Sequence, residues 1–159
     1  MSRYKVRSIK YNILMNIILS SSQIIFPLIT LPYVSRVLST EGIGAVAFAQ
    51  SVLTNFSLIA LLGIQTYGVK ACASVRDNFY ELSKVVKELL SILLISTTVV
   101  FILYLCSIFL VPKFLVNKEL FLLFSVGLWL TAFGSEWFYQ AIEQYQYITI
   151  RNVLFKFFG

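Results

Sequence analysis

The sequence predicts an all-α fold, a polytopic transmembrane helix bundle. Three observations carry that prediction. The 159 residues are 58% hydrophobic and only 13% charged, against about 45–50% and about 25% for a soluble domain. The apolar residues gather into runs about as long as the ~20 residues a bilayer requires. The basic residues fall in the connections and alternate between rich and poor ones.

The chain opens MSRYKVRSIKYN, with Arg3, Lys5, Arg7 and Lys10 and no acid. Residues 1–12 read as a basic tail. The apolar run 13–34 is longer than a signal-peptide core of about 7–15 residues, so it reads as a retained membrane helix. Ser20, Ser21, Ser22 and Gln23 lie inside it, followed by Pro27 and Pro32. The prolines remove backbone donors and predict a kink or break, with nearby serines available to freed carbonyls. Such a polar, bent helix fits the wall of a water-lined path; small residues gluing helix to helix are the other reading.

Next comes LPYVSRVLSTEGIGAVAFAQS, residues 31–51. Arg36 keeps its charge and offers a planar fork suited to phosphate. It fits either an anion-binding group at a cavity mouth or an anchor snorkelling to headgroups. Glu41 reads as its partner or as a helix cap, and Gly42 and Gly44 as a tight turn with close packing. The second span, 44–69, carries Gln50, Asn55 and Gln65, with Ser51, Asn55 and Leu58 on one face.

SVRDNFYELSKVVKELLS reads as an amphipathic helix starting at Ser74, with Asp77 three residues on. It leads into the third span, 89–111, apolar nearly all round and expected to be peripheral. In the fourth span, 120–139, Gly127 and Gly134 share a face, Trp137 and Tyr139 suit an interfacial belt, and Glu136 reads as paired or solvated near one end. Four spans thus occupy 13–139. Residues 140–159 read as a loop and the start of a fifth helix, too short to cross and carrying Arg151 and Lys156. Grouping alternate connections places ten Lys/Arg on the side of the N-terminus and three on the other, which predicts a cytoplasmic N-terminus.

The absence of histidine removes histidine-dependent nucleophile schemes and most zinc sites. Glu136 and Glu143 have no metal or nucleophile context around them, so no enzyme activity and no cofactor are expected. Cys72 and Cys106 form no CxxC and read as apolar filler. The net charge of +6 reports topology, and no nucleic-acid partner is expected.

Two stretches, ITLPYVSRVLSTEGIGAVAFAQS and GSEWFYQAIEQYQYITIRNVLFK, resemble signatures of the bacterial polysaccharide repeat-unit flippases. These are the O-antigen and capsule exporters of the multidrug/oligosaccharidyl-lipid/polysaccharide superfamily. The resemblance covers essentially the whole chain and implies the N-terminal part of a transporter of about twelve to fourteen helices in two bundles. A central cationic cavity would carry an undecaprenyl-diphosphate-linked oligosaccharide across the inner membrane by alternating access. Membrane lipids and the polysaccharide polymerase machinery are the further partners implied. Ser39 and Thr40 depart from the glycine and proline common there. On this reading Arg36 meets the substrate's phosphates or sugar acids, and Ser21, Gln23, Gln50 and Asn55 offer neutral hydrogen bonds to sugars. A multidrug-type exporter and a four-helix scaffold subunit are the competing readings. The first is disfavoured by the lack of acids in the first two spans, the second by the interrupted helix at 147–159.

Overall fold

The computed structural model describes residues 8–134 and 136–158. Arg3, Lys5 and Arg7 of the basic tail lie outside the described residues. Within them the chain is all-α, with no strand. The helices are α1 (Ile9–Val37), α2 (Thr40–Leu61), α3 (Ile64–Ser74), α4 (Phe79–Leu110), α5 (Pro112–Leu115), α6 (Lys118–Phe133), α7 (Glu136–Ala141) and α8 (Tyr145–Phe158). Four stretches are long and apolar enough to cross a membrane: Ile9–Val37, Thr40–Ser74, Phe79–Leu110 and Lys118–Ala141.

Several local expectations change. α1 is one continuous helix through Pro27 and Pro32. A proline in a helix leaves the carbonyl four residues back without its donor, here those of Gln23 and Leu28. The hydroxyls of Ser22, Thr30 and Ser35 turn instead to the carbonyls of Leu19, Phe26 and Pro32. Gly42 and Gly44 are not in a turn: they lie in the first turns of α2, and the link between the helices is Leu38–Ser39 alone. Ser39 caps α2, its Oγ accepting the Gly42 N–H at 3.2 Å, and Glu41 sits in the first turn where a carboxylate complements the helix dipole. A Cβ on Gly44 would meet nothing within 4 Å, so no close packing requires that glycine.

The second span is broken. Leu62 (φ 49°) and Gly63 (φ 72°) adopt left-handed conformations and end α2, which puts Gln65 on a separate helix. The helix expected at Ser74 begins later. Ser74 Oγ bonds back to the Ala71 carbonyl at the end of α3, while Asn78 Oδ1 accepts the N–H groups of Tyr80 (3.1 Å) and Glu81 (3.4 Å) to start α4. α4 then runs unbroken from the amphipathic connector into the third span.

The chain divides into two compact units. One comprises Met1–Val37, Thr66–Val86 and Glu136–Gly159; the other Leu38–Gln65 and Lys87–Ser135. In the second unit α2 packs on α6, and the core is Ala49, Leu53, Tyr104, Ile108, Phe121 and Leu128. The third span is therefore not peripheral: Leu89, Leu93, Thr97, Val100, Tyr104 and Ile108 form a buried stripe at helical spacing. Lipid tails are as apolar as these side chains, so close packing and polar handles hold such helices together. Tyr104 Oη donates to the Phe121 carbonyl at 3.0 Å and Ser96 Oγ to the Ala60 carbonyl at 2.8 Å. Gly127 lets α6 approach α2, since a Cβ there would lie 2.9 Å from Leu53 Cδ2. Gly134 instead caps α6, its N–H donating to the Thr131 carbonyl.

In the first unit α1 packs along α8 and α7 joins α8. Trp137 is buried against Gly68 and is no belt residue. Tyr139 stacks on Tyr147, with ring centres 4.5 Å apart.

Candidate functional site

An α-helix turns about 100° per residue, so spacings of three and four place side chains on one face. On α1, Asn12, Asn16, Ser20 and Gln23 follow that spacing and fall within an arc of about 80°. Asn16, Ser20 and Gln23 are exposed along it. Ile13, Ile24, Ile17 and Leu28 flank the stripe on one side and Leu14 lies opposite it, all exposed as well. The helix therefore presents an uncharged amide and hydroxyl stripe beside an apolar face, and between Lys10 and Arg36 it carries no charge. A lipid-facing amide is costly, so such a stripe is suited to water, a sugar or another polar helix face.

The candidates separate on this geometry. Gln23 belongs to the stripe. Ser21 lies about 160° away, on the apolar side, so the two do not act together. Arg36 is exposed in the last turn of α1, where a cation also complements the helix dipole. The two ion pairs among the described residues, Arg76–Glu143 and Arg151–Glu136, do not involve it.

Gln50 and Asn55 lie in the other unit; Asn55 is on the α2 face opposite the buried Ala49, Leu53 and Ala60, whereas Gln50 flanks that buried face, about 140° from Asn55. Ser51 and Thr54 share that exposed face. Three of these side chains bond back to their own helix: Asn55 Nδ2 to the Ser51 carbonyl (2.9 Å), Ser51 Oγ to that of Ala47 (2.9 Å) and Thr54 Oγ1 to that of Gln50 (2.8 Å). With its amide nitrogen so engaged, Asn55 keeps Oδ1 as an acceptor for a sugar hydroxyl.

At the ends of the helices in the first unit, Arg76 Nη1 meets Glu143 Oε1 at 2.5 Å, tying the α3–α4 connection to the α7–α8 turn. The hydrogen bond and charge of Glu143 raise the Arg76 guanidinium above its ordinary value. Glu136 is paired, as one of its two expected roles had it: Oε1 accepts from Arg151 and from Asn152 Nδ2. Glu143 holds φ 57°, a left-handed conformation, at the turn between α7 and α8. Among the described residues no group of three or more His, Cys, Asp or Glu is placed to hold a metal.

A family model for polysaccharide biosynthesis proteins matches residues 9–158. The chain belongs to that family. It is also 27% identical over 155 residues to a Shigella dysenteriae protein described as a candidate O-antigen transporter, with 94% of this chain and 37% of that protein aligned. The chain thus spans little more than a third of the length of that relative. No solved structure matches it. For this polysaccharide biosynthesis protein the candidate faces are the α1 stripe in one unit and the polar α2 face in the other.

Asn12 and Asn16 extend the stripe beyond the residues singled out above; the steps of four from Asn12 to Asn16 and from Asn16 to Ser20 are the signal the sequence carries for them. The Arg76–Glu143 pair, 67 positions apart, left no local signal.

Proposed function

We propose that the chain forms part of a membrane exporter that moves a lipid-linked oligosaccharide across the cytoplasmic membrane for surface polysaccharide synthesis. The observation that carries this is the uncharged polar stripe on a membrane-length helix of a polysaccharide biosynthesis protein. A glycan entering hydrocarbon would lose its hydration, at a cost of several kcal/mol for each unpaired polar group, on the order of 2–7. Amides and hydroxyls along α1 and α2 replace part of that hydration without holding the sugar tightly. On α1 Asn16, Ser20 and Gln23 offer these groups and Arg36, at its end, meets the phosphates; Gln50 and Asn55 offer the same chemistry on α2, taken by itself. Alternating access of a polar path is the mode of transport, and no covalent bond is made or broken, so the protein is not an enzyme. The excess of Lys/Arg on alternate connections supports a cytoplasmic N-terminus. Family membership favours this reading over the scaffold subunit and the multidrug-type exporter.

Deleting the full gene is expected to abolish the surface polysaccharide and to cause lipid-linked repeat units to accumulate inside the cell, read by extraction of the lipid fraction. Unchanged surface polysaccharide in a strain with no second exporter of this kind would overturn the proposal.

A further inference from the structure

Two polar contacts fix the packing of α8 on α1. Thr149 Oγ1 lies 3.1 Å from the Met15 carbonyl and Lys156 Nζ lies 3.4 Å from Ser22 Oγ. Both pairs are 134 residues apart, so the helices run parallel and in constant register over two turns. Ser22 lies near the middle of α1, about 20 Å along the axis from Ile9 and about 22 Å from Val37 at about 1.5 Å per residue. The Lys156 ammonium is therefore held near mid-depth of a membrane-length helix.

That placement is costly for a cation. From mid-depth the interface is about 15 Å away, beyond the reach of a lysine side chain that snorkels. The neighbouring cation on α8, Arg151, is paired with Glu136; Lys156 belongs to neither ion pair among the described residues, and its contact is the neutral Ser22 hydroxyl. Beside it runs a groove of about 370 Å³. Ile17, Ile25 and Val153 supply apolar walls, and Ser21, Ser22 and Lys156 the polar groups. A half-buried cation in an apolar trough complements an anion carried on a greasy chain.

We propose that the α1–α8 groove binds the phosphate of a polyprenyl-type carrier lipid during its passage across the bilayer. Lys156 supplies the counter-charge, Ser21 donates a neutral hydrogen bond, Ser22, whose hydroxyl donates to the Leu19 carbonyl, holds the ammonium through its oxygen, and the apolar trough takes the adjoining chain. Depth selects this occupant: a bilayer phospholipid keeps its phosphate at the interface, whereas a lipid being moved across must bring its phosphate past mid-depth. Ser21, on the opposite side of α1 from Gln23, thereby acts on the lipid rather than on the glycan. The proposal rests on the export reading above.

The test is titration of the purified full-length protein with undecaprenyl phosphate, and separately with phosphatidylglycerol, read by native mass spectrometry. Wild type is expected to prefer undecaprenyl phosphate. Lys156→Gln should weaken that binding about tenfold or more, the scale of one charge-assisted hydrogen bond, and Lys156→Arg should retain it. Ile25→Trp, which fills the trough and leaves the lysine in place, should also weaken it. Equal binding by wild type and K156Q would overturn the groove, as would equal binding of phosphatidylglycerol. A K156Q protein that is destabilised yet binds the lipid normally when folded would also overturn it, by pointing to a carboxylate partner from the protein. No binding of undecaprenyl phosphate by wild type would instead sink the export reading.

Discussion

Replacing Asn16, Ser20 and Gln23 together by leucine is expected to leave the protein in the membrane and to lower export about a hundredfold. Each side chain offers a sugar about one hydrogen bond, worth about 1 kcal/mol net. Three such losses amount to about 3 kcal/mol, or about two powers of ten. The substitution makes the helix more apolar, so insertion is not at risk. The matched control places leucine at Thr98 alone, an exposed hydroxyl of α4 bonded back to the Leu94 carbonyl and outside every proposed contact with the substrate. Export is read as surface polysaccharide in a strain carrying the altered full-length gene, with protein level measured in the same membranes. A triple variant exporting at the wild-type rate would show that the stripe packs against another part of the protein rather than lining the path.

The second large effect is structural. A Cβ on Gly68 would sit 2.7 Å from Trp137 Cε3, with Cδ2 and Cζ3 at 3.1 and 3.2 Å. Trp137 is only 3% exposed and its ring is not a flexible chain end that can swing aside. Gly68→Val should therefore destabilise the protein by about 1–3 kcal/mol through overpacking. Trp137→Leu in the same chain should return part of that loss, because the two changes share one contact and cannot be additive. Unfolding of the full-length protein in mixed detergent micelles measures both. A Gly68→Val protein as stable as wild type would mean that α3 and α7 do not meet at this point.

The fold class and the four membrane-length stretches were legible in the sequence because bilayer thickness imposes itself on composition residue by residue. Breaks and packing partners were less so. Pro27 and Pro32 announced a kink or a break; no break occurs, since one missing donor per proline is tolerated inside a long helix. The real break, at Leu62–Gly63, hid in an ordinary leucine–glycine pair whose left-handed backbone has no hydrophobic signature. The third span gave little hint of its inner face because it is apolar nearly all round; Tyr104 and Ser96, whose hydroxyls reach carbonyls of α6 and α2, lie toward the side that packs.

The candidate site was legible in part. The serines, Gln23, Gln50 and Asn55 stood out as polar groups in apolar runs, and angular spacing then separates Gln23 from Ser21. Lys156 read only as a cation in a run too short to cross. Its depth depends on which helix lies beside α8, and that pairing spans 134 positions.

The most direct test of the central claim, that the α1 stripe faces a water-filled path, is single-cysteine labelling in intact cells. The natural thiols Cys72 and Cys106 are first replaced by alanine in the full-length protein. Cysteines are then placed one at a time at Asn16, Ser20, Gln23, Leu14 and Leu28 and exposed to a charged, water-soluble thiol reagent. The account predicts labelling at 16, 20 and 23 and none at 14 and 28. Protection of all three stripe positions, or equal labelling at 14 and 28, would contradict it.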